Sequence, residues 1–231
     1  MLLDSRDTPK SNLILGLPID ETEIEKKALC VASPKSYIVE LVDRKDIKDF
    51  IEKWHYSHSI NGLRSSYCFA LYYLDIETNT KVMIGAIIYG KLAMASVWKK
   101  YGETEDDVIE LRRLAMIDST VRNSESYFIG KTLRWLKSNT TIKKVVSYSD
   151  LYYNHIGTIY KASNFLQTGK TVSGRKIVYN NKLYHDKAIR AKYTNGKLKP
   201  FSKKIKEALD NGEAYYIKTP PKNIFIYTLR N

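Results

Sequence analysis

The chain has 231 residues and a formal net charge of +13, from 38 Lys and Arg against 25 Asp and Glu. Its hydrophobic content of 43% is that of an ordinary globular protein, and no run of about 18 apolar residues predicts a membrane span. A charge this unbalanced favours a polyanionic partner, with nucleic acid as the first choice. The polar start MLLDSRDTPKSN lacks the basic-then-apolar order of a secretory signal, so we expect a cytoplasmic protein without a membrane partner.

Residues 1–35 show no sustained periodicity and are predicted to be an N-terminal arm. Hydrophobic periodicity and turn residues then predict the following order of elements: strand 36–42, a helix after Asp43, a hairpin of strands 66–74 and 81–89, strand 111–117, helix 124–136, strand 145–148, helix 155–165, strand 165–172, a hairpin turning at 180–181, helix 201–209 and two closing strands. This order predicts an α/β fold with a catalytic core at 36–172 and a basic C-terminal extension at 173–231.

The stretch 110–165 alternates strand, helix, strand and helix. In such units the carboxyl ends of parallel strands and the following helix starts form the usual ligand crevice. Ser124 is predicted to cap its helix and, with Arg113 and Arg122, to face an anionic group of a donor. Asp150 follows the second strand and Tyr160 lies on the second helix, so we expect both near that crevice.

The sequence HYSHS, residues 55–59, follows the first helix and groups side chains that hold protons or bind metals. His55 has an ordinary pKa near neutral pH and suits proton transfer, although a single His is more often a satisfied structural residue. Five such residues in a row favour a site.

The C-terminal extension combines basic and aromatic residues. Between Lys170 and Lys206 twelve Lys or Arg residues face a single acid, Asp186, with tyrosines and Phe201 interleaved. Basic side chains neutralise phosphates and aromatic rings stack on bases, which predicts a nucleic-acid surface. The residues expected to contact nucleic acid are Arg175, Lys176, Arg190, Lys192, Lys203, Lys204 and Lys206.

The ending IYKASNF resembles the fourth helix of the Gcn5-related N-acetyltransferase superfamily, which implies an acetyltransferase-like mixed twisted sheet flanked by helices. The loop RNSESY differs from that superfamily, whose phosphate loop has an Arg or Gln followed by glycines. The segments ELRRLAMID, RNSESYFIGKTLRWLK, VVSYSD and HIGTIYKASNF, together with HYSHS, more closely resemble the bacteriophage Mom DNA-modification proteins.

The Mom resemblance implies an enzyme that converts adenine in DNA to its N6-carbamoylmethyl form and protects phage DNA from host restriction, acting in the host cytoplasm. It implies catalytic roles for His55, Tyr56, Asp150 and Tyr160, with Ser124 and Arg113 on the donor side. It also implies iron, for which His55, Tyr56 and Asp150 offer nitrogen and oxygen ligands.

The partners implied are double-stranded DNA and a group donor. Acetyl-coenzyme A would leave an acetyl group that lacks the required nitrogen, whereas a glycine-carrying donor such as an aminoacyl-tRNA has the right atoms. A flipped adenine bound between WHYSHS and VVSYSD is expected, which requires His55 and Asp150 to meet. Two alternatives stay open: an acetyltransferase acting on a protein or small amine, and a noncatalytic nucleic-acid-binding protein.

Overall fold

The computed structural model describes residues 33–75, 78–94 and 96–230. The predicted N-terminal arm therefore lies almost entirely outside the described residues. Helices and strands occupy the following ranges: β1 Ile38–Val42, α1 Arg44–Trp54, β2 Tyr67–Asp75, β3 Thr80–Gly90, β4 Val108–Met116, α2 Ser124–Asn139, β5 Lys144–Ser149, α3 Thr158–Ala162, β6 Leu166–Lys170, β7 Gly174–Tyr179, β8 Lys182–His185, α4 Pro200–Asp210, β9 Ala214–Thr219 and β10 Asn223–Thr228. The predicted α/β class, a mixed sheet flanked by helices, is confirmed.

The chain divides into two compact units. Among the described residues, the first comprises those up to Val145 together with Leu229 and Arg230, and the second comprises residues 146–228. The boundaries predicted from composition, after residues 35 and 172, stay a prediction.

In the first unit β1, β2, β3 and β4 are neighbours in that order, and every pair is antiparallel. Helix α1 packs on this sheet through Ile47 and Ile51, both fully buried. Burial of an isoleucine side chain contributes roughly 1.5–3 kcal/mol, so this face fixes the helix on the sheet. Asp43 and Asp46 form a capping box at its start.

The second unit contains two groups of strands. β5, β10 and β6 are neighbours in that order, and β10 runs antiparallel to β6. The basic segment forms a separate three-stranded antiparallel sheet in the order β8, β7, β9. The predicted hairpin turn has Asn180 and Asn181 at φ +48° and +55°, the left-handed conformation that this tight turn requires.

Helix α4 packs on the small sheet with its own core, which includes Ile177, Tyr179 and Ile205. Tyr179 is only 7% exposed, so it is a core residue and is not available for base stacking. The basic extension is therefore a folded element rather than a loose tail.

Candidate functional site

His55 lies at the point where α1 ends. Its backbone N–H donates to Ile51 O at 2.9 Å, and its carbonyl accepts the N–H of His58 at 2.8 Å, which closes a tight turn over residues 55–58. The imidazole is 6% exposed. The backbone N–H of Ser57 donates to His55 Nδ1 at 3.1 Å, so the neutral ring carries its proton on Nε2.

A chain of polar contacts joins this turn to strand β4. The Ser57 hydroxyl lies 2.8 Å from His55 Nδ1 and 3.3 Å from the carbonyl oxygen of Ser59. That same carbonyl accepts from Arg113 Nε at 3.4 Å. The structure therefore brings together His55 and Arg113, which lie far apart in the sequence and were predicted as parts of separate features.

A β-bulge in β4 orients the arginines. Ile88 of β3 pairs with Arg113, and the next residue of β3, Tyr89, pairs with Leu111, so Arg112 is the extra residue. Bulges redirect side chains at the rim of functional sites. Arg113 then folds back so that its Nη1 donates to the carbonyl of Arg112 at 2.8 Å.

Burial lowers the pKa of Arg113 from its ordinary value, and the nearby Tyr56 opposes this by favouring the charged guanidinium. The Tyr56 ring lies 4.2 Å from the His55 ring between centroids, and its side chain is partly exposed. Tyr56, His55 and Arg113 are thus one cluster of the first unit, which can offer a phenol, an imidazole and a cation to the same ligand.

The start of α2 differs from the prediction. Asn123, in the left-handed conformation at φ +69°, occupies the cap position, and Ser124 is the first helical residue. The Ser124 hydroxyl donates to the carbonyl of Val121 and is fully buried. The prediction that Ser124 caps the helix was therefore wrong, because the turn needs a left-handed residue that Asn tolerates. Arg122 is exposed beside this helix start.

Asp150 belongs to the second unit, directly after β5. Its side chain is 8% exposed and forms an ion pair with Lys222, whose Nζ lies 2.8 Å from Oδ2. Oδ1 accepts the backbone N–H of Tyr152 at 3.1 Å. Since an ionised carboxylate has about four lone-pair sites, it can still accept a further donor. Lys222 was not predicted from the sequence, because it lies 72 residues after Asp150, directly follows two prolines and belongs to no local pattern.

The turn after Asp150 holds a second lysine. Lys176 Nζ donates to the Tyr153 hydroxyl at 2.9 Å and lies 3.9 Å from the ring centre of Tyr152. Lys176 was predicted to contact nucleic acid, but here its ammonium group is engaged by the turn that carries Asp150.

Tyr160 is half-buried on α3 in the same unit. Its ring lies between two aromatic neighbours, 5.6 Å from Phe165 and 5.1 Å from Phe225 between centroids. These contacts fix the ring in the second unit, together with Asp150. The predicted meeting of His55 with Asp150 stays a prediction.

The metal role implied for Asp150 stays a prediction. Both of its oxygens already have a donor, so a metal ion would share this carboxylate with Lys222 and the backbone N–H of Tyr152. Across residues 33–75, 78–94 and 96–230 no three His, Cys, Asp or Glu side chains are grouped so as to hold a metal ion. Iron, implied by the resemblance, therefore finds no support in the chemistry of these side chains.

The predicted nucleic-acid residues all lie in the second unit. Arg175 Nε and Arg190 Nη2 share the carboxylate of Asp186 at 3.4 and 2.7 Å. The exposed members of the set are Arg175, Arg190, Lys192, Lys203, Lys204 and Lys206. The three lysines of α4 are exposed, whereas its buried residues are Ser202, Ile205 and Ala208, so a phosphate backbone can approach the lysines.

Comparison with known protein families shows to which family this chain is related. The model of the Mom protein family matches residues 36–228, which is most of the chain. The chain belongs to the Mom protein family. No curated protein matches this Mom protein significantly. Of the helices in the described ranges, none has the length and apolar character that a membrane span requires.

Solved structures similar to this Mom protein include acetyltransferases. A ribosomal-protein-S5-alanine acetyltransferase from Vibrio fischeri is 9% identical, with 84% of this chain and 93% of that chain covered and a TM-score of 0.44. Arabidopsis thaliana NAA60 in complex with acetyl-CoA is 10% identical, with 83% and 98% covered and a TM-score of 0.45. Spermidine/spermine N-acetyltransferase SpeG from Vibrio cholerae, in complex with manganese ions, is 9% identical, with 85% and 94% covered and a TM-score of 0.45.

Proposed function

We propose that this Mom protein is a transferase that modifies the exocyclic amino group of adenine in DNA, with the N6-carbamoylmethyl group as the product, and that it protects phage DNA in a bacterial host cytoplasm. Membership of the Mom family over residues 36–228 is the observation that carries the proposal. The net charge of +13 supports DNA as the partner.

The adenine amino group is a weak nucleophile that must lose a proton when it attacks a donor. We assign the acceptance of this proton to Asp150, whose carboxylate is buried and retains acceptor capacity. Reaching the amino group in a duplex requires the base to leave the stack, at a cost of a few kcal/mol, and the exposed lysines of α4 hold the strand while it does so.

We assign Tyr160 to proton donation toward the leaving group, and the cluster of His55, Tyr56 and Arg113 to binding and proton transfer on the donor. Arg113 carries a partly desolvated cation, which strengthens its attraction for an anionic donor group. Arg122, exposed beside the start of α2, completes the proposed donor side, and the buried Ser124 holds that turn through its hydrogen bond to the Val121 carbonyl. No step is assigned to iron.

The donor must supply two carbons, one oxygen and one nitrogen. Attack of the adenine nitrogen on acetyl-coenzyme A forms an amide and releases a thiol, but the product lacks the nitrogen. Attack on the glycyl ester of a tRNA forms a glycyl amide and releases the ribose hydroxyl. That amide is an isomer of the carbamoylmethyl product, so a rearrangement would have to follow.

The test is to express the parent and Asp150→Asn in bacteria, digest total DNA to nucleosides and measure deoxyadenosine by mass spectrometry. We expect a heavier deoxyadenosine in the parent and at least about a 100-fold lower yield in Asp150→Asn, since general bases contribute roughly 10²–10⁴-fold. Asp210→Asn, an exposed carboxylate at the end of α4, is the matched control and should retain the parent yield.

Feeding labelled glycine or labelled acetate in parallel identifies the donor, and fragmentation distinguishes the glycyl amide from its carbamoylmethyl isomer. A parent that leaves deoxyadenosine unchanged would refute the proposal. Thiol release from acetyl-coenzyme A with an amine and no DNA would instead identify an acetyltransferase.

A further inference from the structure

We propose that Lys222 is a positioning residue for Asp150. This inference rests on the function proposed above, in which Asp150 accepts the proton of the adenine amino group. Lys222 Nζ lies 2.8 Å from Asp150 Oδ2, and Asp150 is the one buried carboxylate of residues 146–228. The pair joins residues from two different segments of the chain.

Two successive contacts bring the segment of Lys222 to the end of β5. The Asn223 side-chain amide donates to the Ser149 hydroxyl at 3.3 Å, and both side chains are buried. The preceding residue, Lys222, then meets the residue that follows Ser149, which is Asp150. At the start of β10, Asn223 therefore lies opposite Ser149, and Lys222 lies opposite Asp150.

The backbone of Lys222 is itself held in place. Its N–H donates to Thr171 Oγ1 at 2.9 Å, and its carbonyl accepts the N–H of Thr171 at 2.9 Å. Pro220 and Pro221 restrict the backbone just before it. The backbone of Lys222 is therefore fixed, and its partly exposed side chain reaches the carboxylate from there.

The carboxylate is held from its other oxygen as well. Oδ1 accepts the N–H of Tyr152, and Lys176 fixes the rings of Tyr152 and Tyr153. Oδ1 is held by the N–H of Tyr152 and Oδ2 by the ammonium of Lys222, and these two contacts together orient the plane of the carboxylate. A misplaced catalytic group costs about 100-fold in rate, so removal of the ammonium contact should slow the reaction without removing the reacting group.

The experiment measures the yield of heavier deoxyadenosine in bacteria at matched protein levels. We expect a loss of about 10- to 100-fold in Lys222→Met and a yield within several-fold of the parent in Lys222→Arg, which keeps a cation at the same place. Lys161→Met, an exposed lysine of α3, is the control and should equal the parent. Equal yields for Lys222→Met and parent would overturn the proposal, as would an equal loss in Lys222→Arg and Lys222→Met.

Urea unfolding provides a readout that does not depend on activity. Lys222→Met, Asp150→Asn and the double variant form a cycle, and an ion pair predicts that the two changes are not additive. If the two changes in unfolding free energy were additive, Lys222 and Asp150 would not form a stabilising ion pair. If the parent produces no heavier deoxyadenosine, the proposed function is refuted, and the role of Lys222 in that function is refuted with it. If the parent is active and the Lys222 variants give the parent yield, only the role of Lys222 is refuted.

Discussion

Asp107 stabilises a connection of the first unit. Its Oδ2 accepts the backbone N–H groups of Glu103 and Thr104 at 3.0 and 2.8 Å, and Lys143 Nζ lies 3.3 Å from Oδ1. The hydrogen bond from Thr104 is the largest cause that lowers the pKa of Asp107 below its ordinary value. The ionised form therefore stabilises the folded chain.

This stabilisation should depend on pH. Because the folded pKa lies below the unfolded one, the contribution of Asp107 is fully present above a pH of about 4 and is lost as the pH falls through the folded pKa. In urea unfolding, Asp107→Asn should be less stable than the parent near neutral pH, and the difference should shrink in acid. Asp106→Asn, whose side chain is 84% exposed, should show little difference at any pH. A constant deficit for Asp107→Asn across this range would contradict the assignment.

The individual site residues show where sequence reasoning stops. His55, Tyr56 and Arg113 were identified by residue type and resemblance, and the structure places them in one cluster. Their link through the Ser59 carbonyl depends on a β-bulge at Arg112, which no local pattern marks. Lys222 was missed for a similar reason, since its pairing with Asp150 depends on the register between two distant segments.

Helix α3 was predicted over residues 155–165 and is observed only as Thr158–Ala162. Gly157 precedes it at φ +88° and Asn164 follows it at φ +62°, and both left-handed residues end helical geometry. The other helices and the strands lie close to their predicted ranges because their apolar periodicity is strong. The ends of a short element such as α3 depend instead on the backbone conformation of single residues, which hydrophobic periodicity does not predict.

Gly157 should be intolerant of any side chain. A Cβ there would lie 2.2 Å from Phe225 Cζ, and the positive φ adds strain. We expect Gly157→Ala to lower the free energy of unfolding by more than about 3 kcal/mol, the sum of a left-handed penalty and overpacking. Gly196→Ala, at φ +80° with open space around it, isolates the backbone penalty and should cost roughly 1–2 kcal/mol. Equal losses in urea unfolding would show that Phe225 moves aside.

The charge of the whole molecule should govern its affinity for DNA. Replacing Lys203, Lys204 and Lys206 by Ala should weaken binding to all sequences and reduce the slope of log affinity against log salt by up to about 3, roughly 0.9 per lost phosphate contact. Replacing three exposed lysines of α1, namely Lys45, Lys48 and Lys53, removes the same charge elsewhere and serves as the control. Fluorescence anisotropy with labelled DNA at several salt concentrations measures the affinity and its salt slope for each variant. Equal slopes for the two variants would show that α4 does not contact DNA.

The path of the chain through the two units has a consequence for its synthesis. The chain leaves the first unit after Val145 and returns at Leu229, where the N–H of Leu229 donates to the Lys143 carbonyl at 2.8 Å and its side chain is buried. A ribosome must therefore translate the entire second unit before the first can close. Nascent polypeptides that stop short of Leu229 would lack its buried side chain and its hydrogen bond to Lys143, so their first unit would be less stable and more exposed to proteases.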